Sequence, residues 1–186
     1  DTVRASAPPS TDIYLLDLVM VKGSIRLGDP INITHRKGYD NQPSFMPDGN
    51  SILYTSIHED SQADIYRYDV KKKTTARVTT TKESEYSPTL MPDGKRFSVV
   101  RVEKDSTQRL WRFNLDGSNP ELILKTIKPV GYHCWIDSSR VALFILGEPV
   151  TLQLVDIQTE KATIIDTNIG RSLHKIPGKE SFTYVQ

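Results

Sequence analysis

The hydrophobic residues of this sequence occur in short runs separated by polar and turn-forming residues. One such run, Val-Ala-Leu-Phe-Ile-Leu at residues 141–146, is apolar at every position. A strand with one face in water alternates apolar and polar residues, whereas a strand lying between two other layers does not. Val (13), Ile (16) and Thr (17) are frequent while Ala (6) is rare, which favours strands over helices. The pattern therefore predicts an all-β protein with strands that are buried on both faces.

Two sequence landmarks recur in phase along the chain. The first is an apolar segment followed by a turn, with copies at residues 45–50, 90–95, 135–140 and 174–179. The second is a strand-like segment of the Asp-Ile-Tyr type, with copies at residues 12–17, 64–69, 109–114 and 151–156. The best-preserved copies of both landmarks are 45 residues apart. Two landmarks that move together indicate a structural repeat.

Each repeat unit is predicted to contain four short strands. Pro-Asp-Gly at 47–49 and 92–94 predicts the first turn, because Asp accepts hydrogen bonds from the turn backbone and Gly adopts positive φ. The strand before this turn is predicted at residues 43–46, 88–91 and 132–136, and the strand after it at 51–57, 96–102 and 140–146. Four-stranded units of this length that bury both faces are typical of β-propeller blades. A two-sheet β-sandwich is the alternative, but it gives no reason for two landmarks to recur in phase.

The predicted fold class is therefore an all-β propeller with about four four-stranded blades in this chain. Residues 1–11 are predicted as a polar N-terminal tail and residues 12–186 as the propeller domain. The predicted units are a half blade at 12–34, whole blades at 35–80, 81–125 and 126–167, and a partial blade at 168–186. Pairing of the two partial units would close a four-bladed ring, and a place within a larger propeller is the other possibility.

The repeats resemble those of TolB-type β-propellers, which are relatives of the WD repeat. The resemblance covers about residues 12–186, and it rests on Met-Pro-Asp-Gly at 46–49 and 91–94, Asp-Ile-Tyr at 64–66 and Leu-Trp at 110–111. The copy at 137–139, Asp-Ser-Ser, lacks the Pro and Gly of the pattern. TolB-like propellers usually have six blades, so the resemblance implies that this chain is part of a six-bladed propeller. It also implies protein partners in the cell envelope.

The charge balance argues against several classes of partner. The chain has 24 basic and 23 acidic residues, a net charge of +1, and therefore no strong field for nucleic acid or an anionic membrane. Its single cysteine, Cys134, excludes an intrachain disulfide. A start at Asp1 followed by a polar tail is typical of an exported bacterial protein after signal-peptide removal. We expect a periplasmic or secreted protein with no nucleic-acid partner and no membrane insertion, and the sequence allows a monomer.

The sequence contains no strong catalytic motif. It has no Gly-x-Ser-x-Gly, no phosphate-binding Gly-rich loop and no His-Glu-x-x-His, so we predict no enzyme, no catalytic residue, no cofactor and no metal site. His35, His133 and His174 are predicted near the connections between blades. Oligogalacturonate-lyase-like enzymes are propellers of related build, and a channel-site enzyme of that kind is therefore one alternative. The propeller part of a prolyl-oligopeptidase-like peptidase is another.

The connections that enter the inner strands of a propeller surround the mouth of its central channel. The residues predicted there are Asp40, Asn41, Glu85, Tyr86, Tyr132, His133 and Arg171. A concave rim of mixed polarity with aromatic residues is a common ligand or peptide site, and Arg and Tyr often carry interface energy. We therefore predict a non-catalytic TolB-like binding or scaffolding module for a protein or peptide partner, in the cell envelope or outside the cell.

Overall fold

The computed structural model describes residues 8–58 and 61–186, which form eighteen β-strands and no helix. The half blade contains β1 (Tyr14–Leu15), β2 (Leu18–Val21), β3 (Ser24–Leu27) and β4 (Ile31–Asn32). Blade 1 contains β5 (Tyr39–Phe45), β6 (Ser51–Ile57), β7 (Ala63–Asp69) and β8 (Thr74–Arg77). Blade 2 contains β9 (Ser84–Leu90), β10 (Arg96–Val102), β11 (Gln108–Asn114) and β12 (Glu121–Leu122). Blade 3 contains β13 (Val130–Trp135), β14 (Arg140–Ile145), β15 (Thr151–Asp156) and β16 (Ala162–Thr167), and the last unit contains β17 (Leu173–Lys175) and β18 (Phe182–Tyr184).

The three whole blades are antiparallel sheets in which neighbouring strands follow one another in sequence. The repeat is visible in the pairing, because Ile52 lies opposite Tyr68 in blade 1 and Phe97 lies opposite Phe113 in blade 2, 45 residues later. The predicted all-β propeller of four-stranded blades is confirmed. Across the described ranges there is accordingly no helix long and apolar enough to span a membrane.

The second strand of each whole blade is buried on both faces, as the apolar run at 141–146 predicts. All five internal residues of β6 and of β10 are buried, and so are the last five residues of β14. In a pleated strand alternate side chains point to opposite faces, so one strand supplies two different packing layers. Ile52 and Tyr54 pack toward the half blade, whereas Leu53 packs toward blade 2.

Four hydrophobic layers hold the units together, one between each pair of neighbours. The layer between blades 1 and 2 is built from Leu53, Ile65, Phe97, Val99 and Phe113, with the two phenylalanine rings stacked at a centroid distance of 5.5 Å. The layer between blades 2 and 3 includes Leu110, Trp135 and Val141. Leu173 and Cys134 belong to the layer between blade 3 and the last unit, and Ile13 and Ile33 to the first layer. Burial of apolar surface between sheets is therefore what joins successive blades.

The turns between the first and second strands have the predicted chemistry. The Asp93 carboxylate accepts the backbone N–H groups of Lys95 (2.8 Å) and Arg96 (3.1 Å), and Gly94 has a φ of +67°. In blade 3 the Asp137 carboxylate accepts the equivalent two N–H groups although Pro and Gly are missing. The backbone hydrogen bond that closes this turn is donated by the Ile136 N–H to the Arg140 carbonyl. In blade 2 the equivalent hydrogen bond joins Met91 to Arg96, so the turn of blade 3 is one residue shorter. The shorter turn forms without the glycine that follows Asp93 in blade 2.

The first strands of blades 1 and 2 begin earlier than the sequence indicates. They start at Tyr39 and Ser84 instead of Pro43 and Pro88, so the polar residues before each proline belong to the strand. The reason is that the second strand is long enough to pair with these residues, and its backbone groups need partners. Asp40 and Glu85 are thus strand residues and not connection residues.

The half blade contains a longer hairpin than the other units. Beyond the β1–β4 pair, β2 and β3 form a second antiparallel ladder that turns at Lys22 (φ 48°) and Gly23 (φ 79°). Two positive φ values match the turn that closes tight hairpins. All eight residues of β2 and β3 are exposed. Among the described residues β1 pairs with β4 and β18 pairs with β17, so the chain ends do not close a four-bladed ring.

Of the predicted N-terminal tail, residues 1–7 lie outside the described residues. Thr11 at its end is attached to blade 1, where it forms a parallel bridge with Tyr39. The Thr11 backbone N–H donates to the carbonyl of Gly38 at 2.9 Å.

Candidate functional site

The inner strands β5, β9, β13 and β17 line a cavity of about 1170 Å³. Four of the residues predicted at the channel mouth line this cavity: Asn41, Tyr132, His133 and Arg171. The other three do not line it: Asp40 and Glu85 are buried, and Tyr86 is half-buried. Small-molecule pockets usually measure about 300–1,000 Å³, so this cavity has room for a larger ligand.

A bulge at the same position of β5 and β9 shapes the wall. Gln42 and Ser87 are 45 residues apart, have φ values of 55° and 54°, and both precede a proline. The Gln42 Oε1 atom accepts hydrogen bonds from the Ser87 backbone N–H (2.9 Å) and from the Thr55 hydroxyl (2.8 Å). This contact links the inner strands of two blades. The prolines remove a backbone donor from the strand edge, which discourages pairing with another strand.

Asp40 and Glu85 occupy equivalent positions in β5 and β9, and both are buried in ion pairs. The Arg36 guanidinium donates to Asp40 Oδ1 at 2.8 Å, and the Ser56 hydroxyl donates to the same oxygen at 2.6 Å. The Arg101 Nε–H donates to Glu85 Oε1 at 3.1 Å. Their side chains are 0% exposed, so these two carboxylates brace the blades and do not face a ligand.

The surroundings of Glu85 change its acidity. Burial raises the pKa of Glu85 to about 7, although the Thr81 hydroxyl and the Arg101 guanidinium both act to lower it. Arg101 in turn lies over the indole ring of Trp111, with its guanidinium carbon 4.5 Å from the ring centroid. The other oxygen of Glu85, Oε2, is buried without a hydrogen-bond partner.

Three tyrosines from consecutive blades lie near one another beside the cavity. Burial raises the pKa of Tyr39, and the neighbouring phenols of Tyr132 and Tyr86 raise it further. Tyr86 is half-buried against the layer between blades 2 and 3. Tyr132 packs edge-on against Phe144, with ring centroids 5.8 Å apart. The aromatic residues of the predicted rim are therefore held by packing.

A buried polar chain supports His133 in the wall between blades 2 and 3. The Trp135 indole N–H donates to Ser98 Oγ at 2.8 Å, and Ser98 Oγ lies 2.7 Å from His133 Nε2. The Ser98 hydroxyl also donates to the carbonyl of Thr89 at 3.2 Å. Burial lowers the pKa of His133 to about 4, which keeps the imidazole neutral at pH 7.

Two hydrogen-bonding atoms in the cavity wall are buried without a partner. They are His133 Nδ1 and Ser87 Oγ, and both residues line the cavity. Buried polar groups are nearly always paired, so each such atom calls for an explanation. His174 also lines the cavity, and its Nε2 lies 2.9 Å from the Ser172 hydroxyl. His35 is not part of the lining, and residues 8–58 and 61–186 contain no group of three side chains able to hold a metal ion.

The fixed charges on the cavity wall are positive. Arg171 is exposed and has no hydrogen bond or ion pair with any described residue, and Lys175 donates from Nζ to the carbonyl of Ile136. The part of the wall that the structure describes contains no Asp or Glu. The sequence prediction names Arg171 but not Lys175, Ser87, Gln42 or Ser98. Only Gln42 and Ser87 carry a sequence signal, namely their 45-residue separation.

Comparisons with known proteins agree with this architecture. A family model described as the TolB beta propeller domain matches residues 4–165. A putative TolB from Agrobacterium tumefaciens has 22% sequence identity and a TM-score of 0.65 over 83% of this chain and 60% of that chain. TolB from Acinetobacter baumannii has 19% identity and a TM-score of 0.62 over 90% of this chain and 46% of that chain. An oligogalacturonate lyase in complex with manganese has 15% identity and a TM-score of 0.53 over 89% of this chain and 50% of that chain.

These identities support a shared fold alone. The chain spans 60% and 46% of the length of the two TolB structures, and the search of curated proteins finds no match. The family model, by contrast, covers most of the chain, from the half blade through blades 1 and 2 and into β16, the last strand of blade 3. The predicted resemblance is therefore confirmed, and the chain belongs to the TolB beta propeller domain family.

Proposed function

We propose that this propeller is a non-catalytic binding module that holds a protein or peptide partner in the cavity lined by its inner strands. The observation that carries the proposal is the convergence of Asn41, Tyr132, His133 and Arg171 on one cavity from three different units. Rigid blades fix the positions of such side chains while leaving their identities free, which is how scaffolds carry binding sites. Family membership supports a partner in the cell envelope or outside the cell.

The Ser–His contact in the wall supports a structural role over a catalytic one. Ser98 is 0% exposed, and its hydroxyl is already shared by Trp135 and His133. A nucleophilic serine must reach its substrate, and its histidine must be able to take up a proton. Burial of Ser98 and the lowered pKa of His133 oppose both requirements.

Selection of peptides from a phage-displayed random library on the purified protein tests this function. Peptides that bind in the cavity should lose about 1–2 kcal/mol of binding free energy in Tyr132→Ala and in Arg171→Ala, the range expected for interface anchors. The matched control for Arg171 is Arg26→Ala on the exposed β3 strand, which should leave affinity unchanged. Asp48→Ala tests the end of the cavity formed by the first turns, because Pro47, Pro92 and Gly94 belong to the lining.

Circular dichroism and thermal unfolding of each variant separate lost binding from lost folding. The proposal fails if the selected peptides bind the cavity variants as well as the wild type. It also fails if Arg26→Ala weakens binding as much as Arg171→Ala does while both variants stay folded.

A further inference from the structure

The described cavity wall carries hydrogen-bond donors and positive charges, but no carboxylate that could pair with them. Arg171 and Lys175 are the charged residues of the described lining, and neither is paired with a carboxylate. The whole chain is almost neutral, with a net charge of +1, so this local excess does not follow from composition. The nearest carboxylates on β5 and β9, Asp40 and Glu85, are already held by Arg36 and Arg101.

Neutral groups on the wall add to the same excess. His133 Nδ1 and Ser87 Oγ are buried without a partner, and the Ser87 hydroxyl is able to donate a hydrogen bond. Gln42 uses its carbonyl oxygen for Ser87 and Thr55, which leaves its NH₂ group as the remaining polar end. Ionised carboxylates only accept hydrogen bonds, so they complement a wall of this kind.

The strand edges argue for recognition through side chains. β9 pairs on one side only, and the other edge of β5 is paired only at its start, where Tyr39 bridges to Thr11. The remaining residues of both strands, 41–44 and 87–90, line the cavity. Pro43 and Pro88 interrupt the row of backbone donors on these edges, and the Ser87 N–H is already taken by Gln42. A partner segment therefore cannot add a continuous β-strand here, whereas acidic side chains can reach Arg171 and Lys175.

We propose that the segment bound in this cavity is an acidic peptide whose carboxylates contact Arg171 and Lys175. This inference rests on the proposed binding function and specifies the chemistry of its ligand. Between the two cations the chain carries His174, which also lines the cavity, so the three basic side chains follow one short stretch of the last unit.

Fluorescence anisotropy with labelled peptides tests the proposal. The probe is a fluorescein-labelled peptide of alternating Glu and Gly, and matched peptides carry Gln or Lys in place of Glu. The Glu peptide should bind most tightly and should weaken as salt is added, because exposed charges are screened. The double variant Arg171→Gln/Lys175→Gln should bind the Glu peptide about tenfold more weakly, the size expected for two partly exposed charge contacts.

The control is a double variant that also removes two positive charges, but at a site away from the cavity. Lys71→Gln/Lys73→Gln alters the exposed turn between β7 and β8 and should leave the affinity for the Glu peptide unchanged. Equal binding of the Glu and Gln peptides overturns the proposal, and so does equal loss in the cavity and control variants. If library peptides still bind the cavity in that case, the binding function stands and only the acidic class is rejected.

Discussion

Individual side chains in the cavity wall act mainly by holding other side chains. Ser98 joins Trp135 of blade 3 to the wall of blade 2, and Gln42 joins blade 1 to Ser87. Such partners are 37 and 45 residues apart in sequence. Hydrophobic periodicity says which face of a strand is buried but not which polar atoms meet across two sheets. For this reason sequence analysis names His133 as a rim residue and misses Ser98 beneath it.

Loss of the Ser98 hydroxyl should destabilise the protein. In Ser98→Ala the Trp135 indole N–H and His133 Nε2 both lose their partner, so the free energy of unfolding should fall by about 1–3 kcal/mol. Urea unfolding followed by tryptophan fluorescence measures the change. Ser181→Ala removes an exposed hydroxyl and should alter stability by no more than about 0.5 kcal/mol. An equal change in unfolding free energy for the two substitutions would show that the Ser98 hydrogen bonds do not stabilise the fold.

Glu85 should make stability depend on pH. Its pKa is about 7 in the folded protein against an ordinary value of 4.5, so the folded state binds more protons between these values. The contribution of Glu85 to stability is therefore complete below pH 4.5 and is lost as the pH rises through about 7. His133, with its pKa lowered to about 4, contributes with the opposite sign.

The comparison of wild type with Glu85→Gln isolates the contribution of Glu85 to the pH dependence of stability. Unfolding free energies from urea titrations at several pH values should fall more steeply with pH in the wild type. Between about pH 4.5 and 7 the wild type should lose roughly 1–3 kcal/mol more unfolding free energy than Glu85→Gln does. Parallel pH profiles would mean that Glu85 ionises equally easily in the folded and unfolded chain.

Strands and turns are predicted correctly from the sequence where the residues of the element itself determine its structure. The Asp-Gly turns and the buried strands β6, β10 and β14 follow directly from the repeat and from apolar runs. The polar beginnings of β5 and β9 are missed because their pairing is imposed by the second strand. The same limitation affects the site, because Asp40 and Glu85 are predicted on a rim and lie inside the sheets.

Two turn glycines should differ in their tolerance of a side chain. A Cβ at Gly94 meets nothing within 4 Å, so Gly94→Ala should cost about 1 kcal/mol for positive φ alone. A Cβ at Gly117 would clash with the carbonyl oxygen of Val78 in the neighbouring blade, in addition to requiring a φ of +83°. Gly117→Ala should therefore lower the thermal unfolding temperature clearly more than Gly94→Ala. The reverse order would show that the contact between blades at Val78 is not formed.

For the whole molecule, stability depends on the layers between neighbouring blades. Each layer combines residues from two units, as in repeat proteins whose stability is a sum over neighbouring contacts. The 45-residue repeat predicts this arrangement because every blade must bury two faces. The sequence does not predict the long hairpin of the half blade, whose apolar residues face solvent.

Removing one ring from a layer should be costly. Phe113 is 0% exposed and stacks on Phe97, so Phe113→Ala should lower the free energy of unfolding by about 3–5 kcal/mol. Phe45 is 59% exposed, and Phe45→Ala serves as the matched control with a change of about 0.5 kcal/mol or less. Denaturant unfolding measures both. A similar cost for the two would contradict burial of Phe113 between blades 1 and 2.

The most direct test of the binding surface is amide hydrogen–deuterium exchange with and without a peptide selected from the library. Binding in the cavity should slow exchange in residues 39–45, 84–90, 130–135 and 171–175, which form the wall. The exposed turns at 71–73 and 104–106 and the exposed hairpin at 18–27, none of which lines the cavity, should exchange at unchanged rates. Protection confined to those turns or to that hairpin would contradict the assignment of the cavity as the binding site.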